Sequence, residues 1–160
     1  MIRRAIGIFL LLLFLISCDY LSPATTAENS ELLVSDTVID YTKVDVYPIF
    51  SDCENFAEND NQKKCFEVSL IEKLTALLHK NELKVKERVN DTALIDLLID
   101  QTGKASVVNI DSPEIIINQL PTLDSIIRQS VSALPTMKPA IKKGIFVRSQ
   151  YRLAIVVKTI

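Results

Sequence analysis

Few side chains in this sequence can do chemistry, and their spacing limits what that chemistry is. There are 3 cysteines, Cys18, Cys53 and Cys65, and a single histidine, His79. The spacing of Cys53 and Cys65 is far from the C-x-x-C of redox pairs, and a metal site built on them would have only one imidazole to draw on. In an exported chain such a pair reads as a structural bridge, with a metal site and a redox pair as the alternatives. Closing a loop of this length contributes about 3 kcal/mol in the chain-entropy picture. His79 falls near the end of a predicted helix, where a cation suits the helix dipole. No G-x-S-x-G, H-E-x-x-H or glycine-rich phosphate loop accompanies it. Asp96 and Asp100 resemble an acid pair, yet at i, i+4 on a strand they share a polar face and read as solvation. No catalytic residue, metal ligand or cofactor is expected, and the chain is read as a non-enzyme.

Cys18 belongs to a different chemistry. Arg3 and Arg4 precede an apolar run over residues 5–16, which at ~1.5 Å per residue covers roughly 18 Å, short of the ~30 Å hydrocarbon core. The run therefore reads as a processing signal over residues 1–17 rather than a membrane span. Leu15-Ile16-Ser17-Cys18 resembles the bacterial lipobox, whose cysteine is acylated and becomes the first residue after cleavage. Each buried CH₂ of an acyl chain is worth ~0.8 kcal/mol, so several chains on Cys18 would hold a domain at a membrane.

Charge divides the chain further. The sequence has 160 residues, 18 Lys and Arg against 20 Asp and Glu, and a formal net charge of -2. Residues 18–43 carry Asp19, Glu28, Glu31, Asp36 and Asp40 against Lys43 alone, with little periodic apolar content. This stretch reads as an acidic tether. A chain without a dense basic footprint offers little to nucleic acid. The hydrophobic content of 48% excludes wholesale disorder. After Asp124 there are no acids, so Lys138, Lys142, Lys143, Arg148, Arg152 and Lys158 form a basic set. It reads as a solvated face or as a docking face for an acidic peptide or lipid headgroups.

The elements that must position these residues follow from periodicity. Residues 44–50 fit an edge strand or an extended approach, because Pro48 has no N–H to give to a ladder. Phe66, Leu70, Leu74, Leu77 and Leu78 share one helical face over residues 64–80. Residues 92–100 alternate as a strand, a turn at Gly103 follows, and residues 105–110 return. Leu123, Ile126, Ile127, Val131 and Leu134 mark a second helix that Pro135 stops. Residues 145–148 and 151–160 are rich in strand formers. The expected fold is α+β, two helices packed on a small, mostly antiparallel sheet of three to four strands.

Six pieces in order then carry a family resemblance. These are Tyr47-Pro48-Ile49-Phe50 with Cys53-Glu54; Lys63-Lys64-Cys65-Phe66; Ile99-Asp100-Gln101-Thr102-Gly103-Lys104 with Val107-Val108; Leu134-Pro135-Thr136-Met137-Lys138-Pro139; Gly144; and Tyr151-Arg152-Leu153. Over residues 44–160 the layout resembles the TonB C-terminal-domain family in the form common in Bacteroidota. Ser51-Asp52, Ala140 and Ala154 depart from its usual turn residues. The cleavable lipobox signal and short tether replace the family's uncleaved helix and proline-rich arm.

The resemblance implies a protein-binding module that engages a partner by strand addition, a segment of the partner pairing with a free edge of the sheet. The implied partner is an envelope protein or an outer-membrane TonB-dependent transporter; the candidate surface is the last strand, Tyr151 to Val157, with Tyr151 and Leu153 on it and Arg148 and Arg152 as candidate contacts to an acidic ligand. The expected location is the cell envelope, as a periplasm-facing lipoprotein of the inner or outer membrane. The alternatives are an energy transducer for TonB-dependent uptake with an uncleaved N-terminal anchor, and a purely structural envelope lipoprotein.

Overall fold

A computed structural model describes residues 28–40, 43–56, 58–81 and 83–159. The predicted signal and Cys18 lie outside the described residues.

The helix expected over residues 64–80 is α1 (Asn59–Leu78). It starts earlier than its apolar face because polar side chains fix its first turn: Asn59 donates to the Asp45 carbonyl at 2.8 Å, and Gln62 to that of Phe56 at 2.6 Å. Phe66, Leu70, Leu74 and Leu78, one every four residues, are completely buried and form the ridge that packs on the sheet. A short helix α2 (Glu114–Gln119) follows Pro113, whose missing N–H costs nothing at a helix start, and buries Ile116. Helix α3 (Leu123–Ser132) buries Leu123, Ile127 and Val131.

The described residues form seven strands: β1 (Glu28–Asp40), β2 (Leu83–Val85), β3 (Asn90–Ile99), β4 (Ala105–Asp111), β5 (Ala140–Lys142), β6 (Ile145–Val147) and β7 (Ser149–Thr159). Five make one antiparallel sheet in the order β2-β1-β7-β3-β4, and β5 and β6 form a separate hairpin. The expected sheet of three to four strands with two helices is thus too small. Over the described residues the fold is α+β, with a sheet of five strands, a second sheet of two, and three α-helices.

The difference arises mainly from β1. Residues assigned to the acidic tether pair with β7 along eight positions, from Ser30↔Thr159 to Asp40↔Tyr151. Leu32 and Val34 point into the core at 3% and 6% exposure, so alternation, the usual sign of a half-buried strand, is present there. The expected boundary between residues 43 and 44 therefore falls after the first strand of the sheet.

The core lies between the sheet and its helices. Tyr151, Leu153, Ile155 and Val157 of β7 and Ile95, Leu97 and Ile99 of β3 meet the α1 ridge. At the centre Phe66 stacks on Phe50, with centroids 5.9 Å apart, and tilts against Tyr151 at 5.2 Å. Among the described residues no helix is long and apolar enough to cross a membrane.

Candidate functional site

The residues expected to meet a partner lie on or beside β7, and the structure gives them different surroundings. Tyr151 and Leu153 are completely buried, Tyr151 against Phe66 of α1. Arg152 points to the opposite face and forks onto Asp96 of β3, with Nε 2.6 Å from Oδ1 and an outer guanidinium nitrogen 2.9 Å from Oδ2. Arg148 is exposed in the link between β6 and β7. β7 is the middle strand of the sheet, so the last strand is not the free edge that the sequence suggests. The reason is physical: a strand's alternation says which face is buried, and nothing local says whether a neighbour covers its edge.

The two ladders of β7 are unequal. Against β3 the register runs unbroken through ten positions, from Asn90↔Lys158 to Ile99↔Ser149. Against β1 it breaks between Val34 and Val38, where residues 35–37 stand opposite Ala154 alone. Such a bulge leaves backbone groups outside the ladder while keeping Leu32, Val34 and Val38 on the core side. His79 holds the strand from the side, its Nε2 2.7 Å from the Leu32 carbonyl oxygen.

The sheet's outer edges are poor alternatives. β2 has three residues. β4 is longer, but its register against β3 shifts between Asp96 and Leu97, which leaves Val108 without an opposite residue. Arg128, paired with Asp124, also donates to the Val107 carbonyl at 3.3 Å. A bulge and a charged cap are common means of blunting an edge.

Beside β7, three of the sequence pieces converge on one strip of main chain. Met137 donates its N–H to the Gly103 carbonyl at 3.0 Å, and Ile49 and Lys138 exchange both backbone hydrogen bonds at 3.0 and 2.9 Å. Lys138 also pairs with Glu54 at 2.8 Å. Pro48 needs no ladder partner there, since the bridges fall at Val46 and Ile49. The segment around Met137 thus ties the Tyr47–Phe50 stretch to the Gly103 turn.

Asp96 and Asp100, the sequence-level acid pair, have separate structural duties. Two hydrogen bonds from Arg152 hold the Asp96 carboxyl below the usual carboxylate range, against the opposing effect of its burial. Asp100 caps the β3–β4 turn by accepting from the Thr102 hydroxyl and N–H, both at 2.7 Å, and from the Lys104 N–H at 3.0 Å. These bonds, led by the Thr102 hydroxyl, lower its pKa. The solvation reading therefore gives way to an ion pair and a turn cap.

Cys53 and Cys65 form a disulfide with Cα atoms 5.8 Å apart, which pins the short 3-10 turn at Ser51–Cys53 to the first half of α1. Lys73 reinforces that contact through Asp52 at 2.6 Å, and this bond lowers the Asp52 pKa. A shallow groove of about 260 Å³ lies alongside, lined by Phe56, Asn61, Lys64, Cys65, Val68 and Ser69. Among the described residues no group of three or more His, Cys, Asp and Glu is placed to hold a metal ion.

What sequence reasoning missed is β1. The alternation of Leu32 and Val34 was its one signal, and the acidic composition around it argued for a tether. No family model, curated protein or solved structure matches the chain.

Proposed function

We propose that this chain is a non-enzymatic, lipid-anchored protein of the cell envelope whose folded region, of TonB C-terminal type, binds a partner protein by strand addition. In this reading residues 1–17 are removed, Cys18 is acylated in the inner or outer membrane, and the tether shortens to the residues before β1. The partner is an envelope protein or an outer-membrane TonB-dependent transporter. Its extended segment pairs with β7 in the place that β1 occupies, so binding is a strand exchange rather than a simple addition.

The observation that carries the reading is the inequality of the two ladders of β7. The pairing with β3 is continuous, while the pairing with β1 is interrupted by a bulge, and the reading takes the interrupted side as the one that opens. Exchange replaces one set of main-chain hydrogen bonds by another of equal kind, so their net contribution nearly cancels. The cost is exposing Leu32 and Val34, each worth about 1.5–3 kcal/mol when buried, together with the partly buried Val38, and freeing β2, which pairs with β1 alone. A partner segment with apolar residues at alternate positions restores that burial.

A reversible lock tests the exchange. Leu33 and Val156 are register partners, so Leu33→Cys with Val156→Cys would join β1 to β7 by a second disulfide. Retention of envelope proteins by the locked and single-cysteine proteins is compared, and hydrogen exchange is followed in the complex. The expected result is loss of partner by the locked protein and loss of amide protection in β1 when the partner binds. Equal retention by both proteins, or a β1 that stays protected in the complex, would overturn the reading. Labelling with a palmitate analogue, lost in Cys18→Ser, tests the anchor separately.

A further inference from the structure

The β5–β6 hairpin forms its own sheet and carries Ile145, the most exposed large apolar side chain among the described residues, next to the exposed Phe146. Ile145 is 67% exposed and Phe146 55%. The hairpin turns through Lys143 and Gly144, whose φ values are +50° and +75°. Two central residues of positive φ make the tight turn that matches the twist of paired strands, and its usual residues are Asn-Gly or Asp-Gly. A lysine in that conformation costs roughly 1–2 kcal/mol. Lys143 is the one described non-glycine residue with positive φ, so this chain tolerates strain where a cation sits at the apex.

The tip is rigid at its base and open at its end. Asp45 accepts the Lys143 N–H at 2.6 Å, and Val46 bridges Ile141. Ala140, at the base, is completely buried. At the end, a Cβ built on Gly144 would meet nothing within 4 Å. Register then sorts the side chains: Lys142 is opposite Ile145, and Ile141 is opposite Phe146. Neighbouring residues of a strand face opposite ways, so Ile145 and Phe146 project from opposite faces of the ribbon. No ion pair joins Lys142, Lys143 or Arg148 to a described carboxylate, and Asp45 is the one acid bonded to the turn.

We infer that this hairpin is a membrane-docking tip that enters the headgroup layer of an anionic bilayer. A protein surface would cover one face of the ribbon and leave the other apolar side chain in water. A bilayer surrounds the tip and covers both. Ile145 and Phe146 would reach the boundary between headgroups and acyl chains, while the lysine stems lie along apolar surface and their ammonium groups stay among lipid phosphates. Each lysine near an anionic surface is worth about 1 kcal/mol, or roughly fivefold in the docked population. The inference requires neither strand exchange at β7 nor acylation of Cys18.

The test reads the tip itself, because the apolar N-terminal run of the full chain would bind vesicles by its own means. In full chain bearing Cys18→Ser, the thiol of Ile145→Cys carries an environment-sensitive fluorophore, and the thiol of Val108→Cys, on β4, serves as the control. Vesicles of phosphatidylcholine with phosphatidylglycerol, containing nitroxide-labelled lipid, are compared with phosphatidylcholine alone. The expected result is quenching at position 145 and not at 108, on anionic vesicles only. Lys142→Gln with Lys143→Gln should reduce the docked population roughly 25-fold. Equal quenching at both positions, no quenching at 145, or insensitivity to the lysines would overturn the inference. A response at 145 to polyglutamate with none to anionic vesicles would also overturn it, in favour of an acidic protein partner.

Discussion

Gly103 and Met137 touch through their main chains: the Met137 N–H donates to the Gly103 carbonyl at 3.0 Å, and a Cβ at Gly103 would lie 1.6 Å from the Met137 carbonyl oxygen. The glycine is fixed twice, by a φ of +80° and by this approach. Gly103→Ala must therefore displace backbone that also carries the Ile49–Lys138 bridge. A destabilisation above about 3 kcal/mol is expected in a urea titration, against roughly 1–2 kcal/mol for Gly144→Ala, which has a similar φ but open space. Equal losses for the two variants would show that the approach contributes nothing.

That contact also shows where sequence reading stops. The glycine of the turn and the segment after α3 are each legible, one from its position between two alternating runs, the other from Pro135 and Pro139. Their contact is not, because nothing in either stretch encodes the other. Helices α1 and α3 and strands β3, β4 and β7 were legible because burial imposes a period on their apolar residues. Strand β1 was not: its alternation is cut by the bulge at residues 35–37, and its acids have the composition of a linker. β2 and β5, at three residues each, are too short to show any period. Of the residues proposed for partner contact, Tyr151, Arg152 and Leu153 are strand residues and Arg148 lies in the link before β7, but the partner that β7 meets along one edge is β1.

Arg152 and Asp96 are direct register neighbours on the solvent side of the sheet, and their ion pair gives the fold an acid-sensitive element. Asp96 is only 7% exposed, so its carboxylate depends on the guanidinium. Its pKa is lowered in the folded state, chiefly by the hydrogen bonds from Arg152. The folded state therefore binds this proton less readily than the unfolded chain. The stabilisation is complete above the ordinary carboxylate pKa of about 4 and is lost as pH falls through the lower folded value. Asp96→Asn should cost about 1–2 kcal/mol at neutral pH, the partial exposure of Arg152 keeping the figure modest. The same substitution should flatten the fall in stability below about pH 4. Parallel acid titrations of the two proteins would refute this assignment.

Tyr151 presents the opposite case, a polar atom held where it gains nothing. Its hydroxyl and that of Ser149, two residues earlier on the same face of β7, are both buried and make no hydrogen bond of good geometry among the described residues, although the Ser149 hydroxyl tempers the rise in the phenol pKa. Burial pushes the phenol pKa well above its ordinary value, so the group is neutral at neutral pH. The ring, by contrast, is well used: it packs 5.2 Å from Phe66 at the centre of the core. An unsatisfied buried hydroxyl costs about 1–3 kcal/mol, and removing it while keeping the ring recovers part of that. Tyr151→Phe is therefore expected to stabilise the protein by about 1 kcal/mol in chemical denaturation. The proposed strand exchange at β7 would use main-chain groups, so the variant should retain a partner as well as the parent protein does. A loss of stability would mean that the hydroxyl has a partner in solution, and a loss of retention alone would make Tyr151 a contact residue.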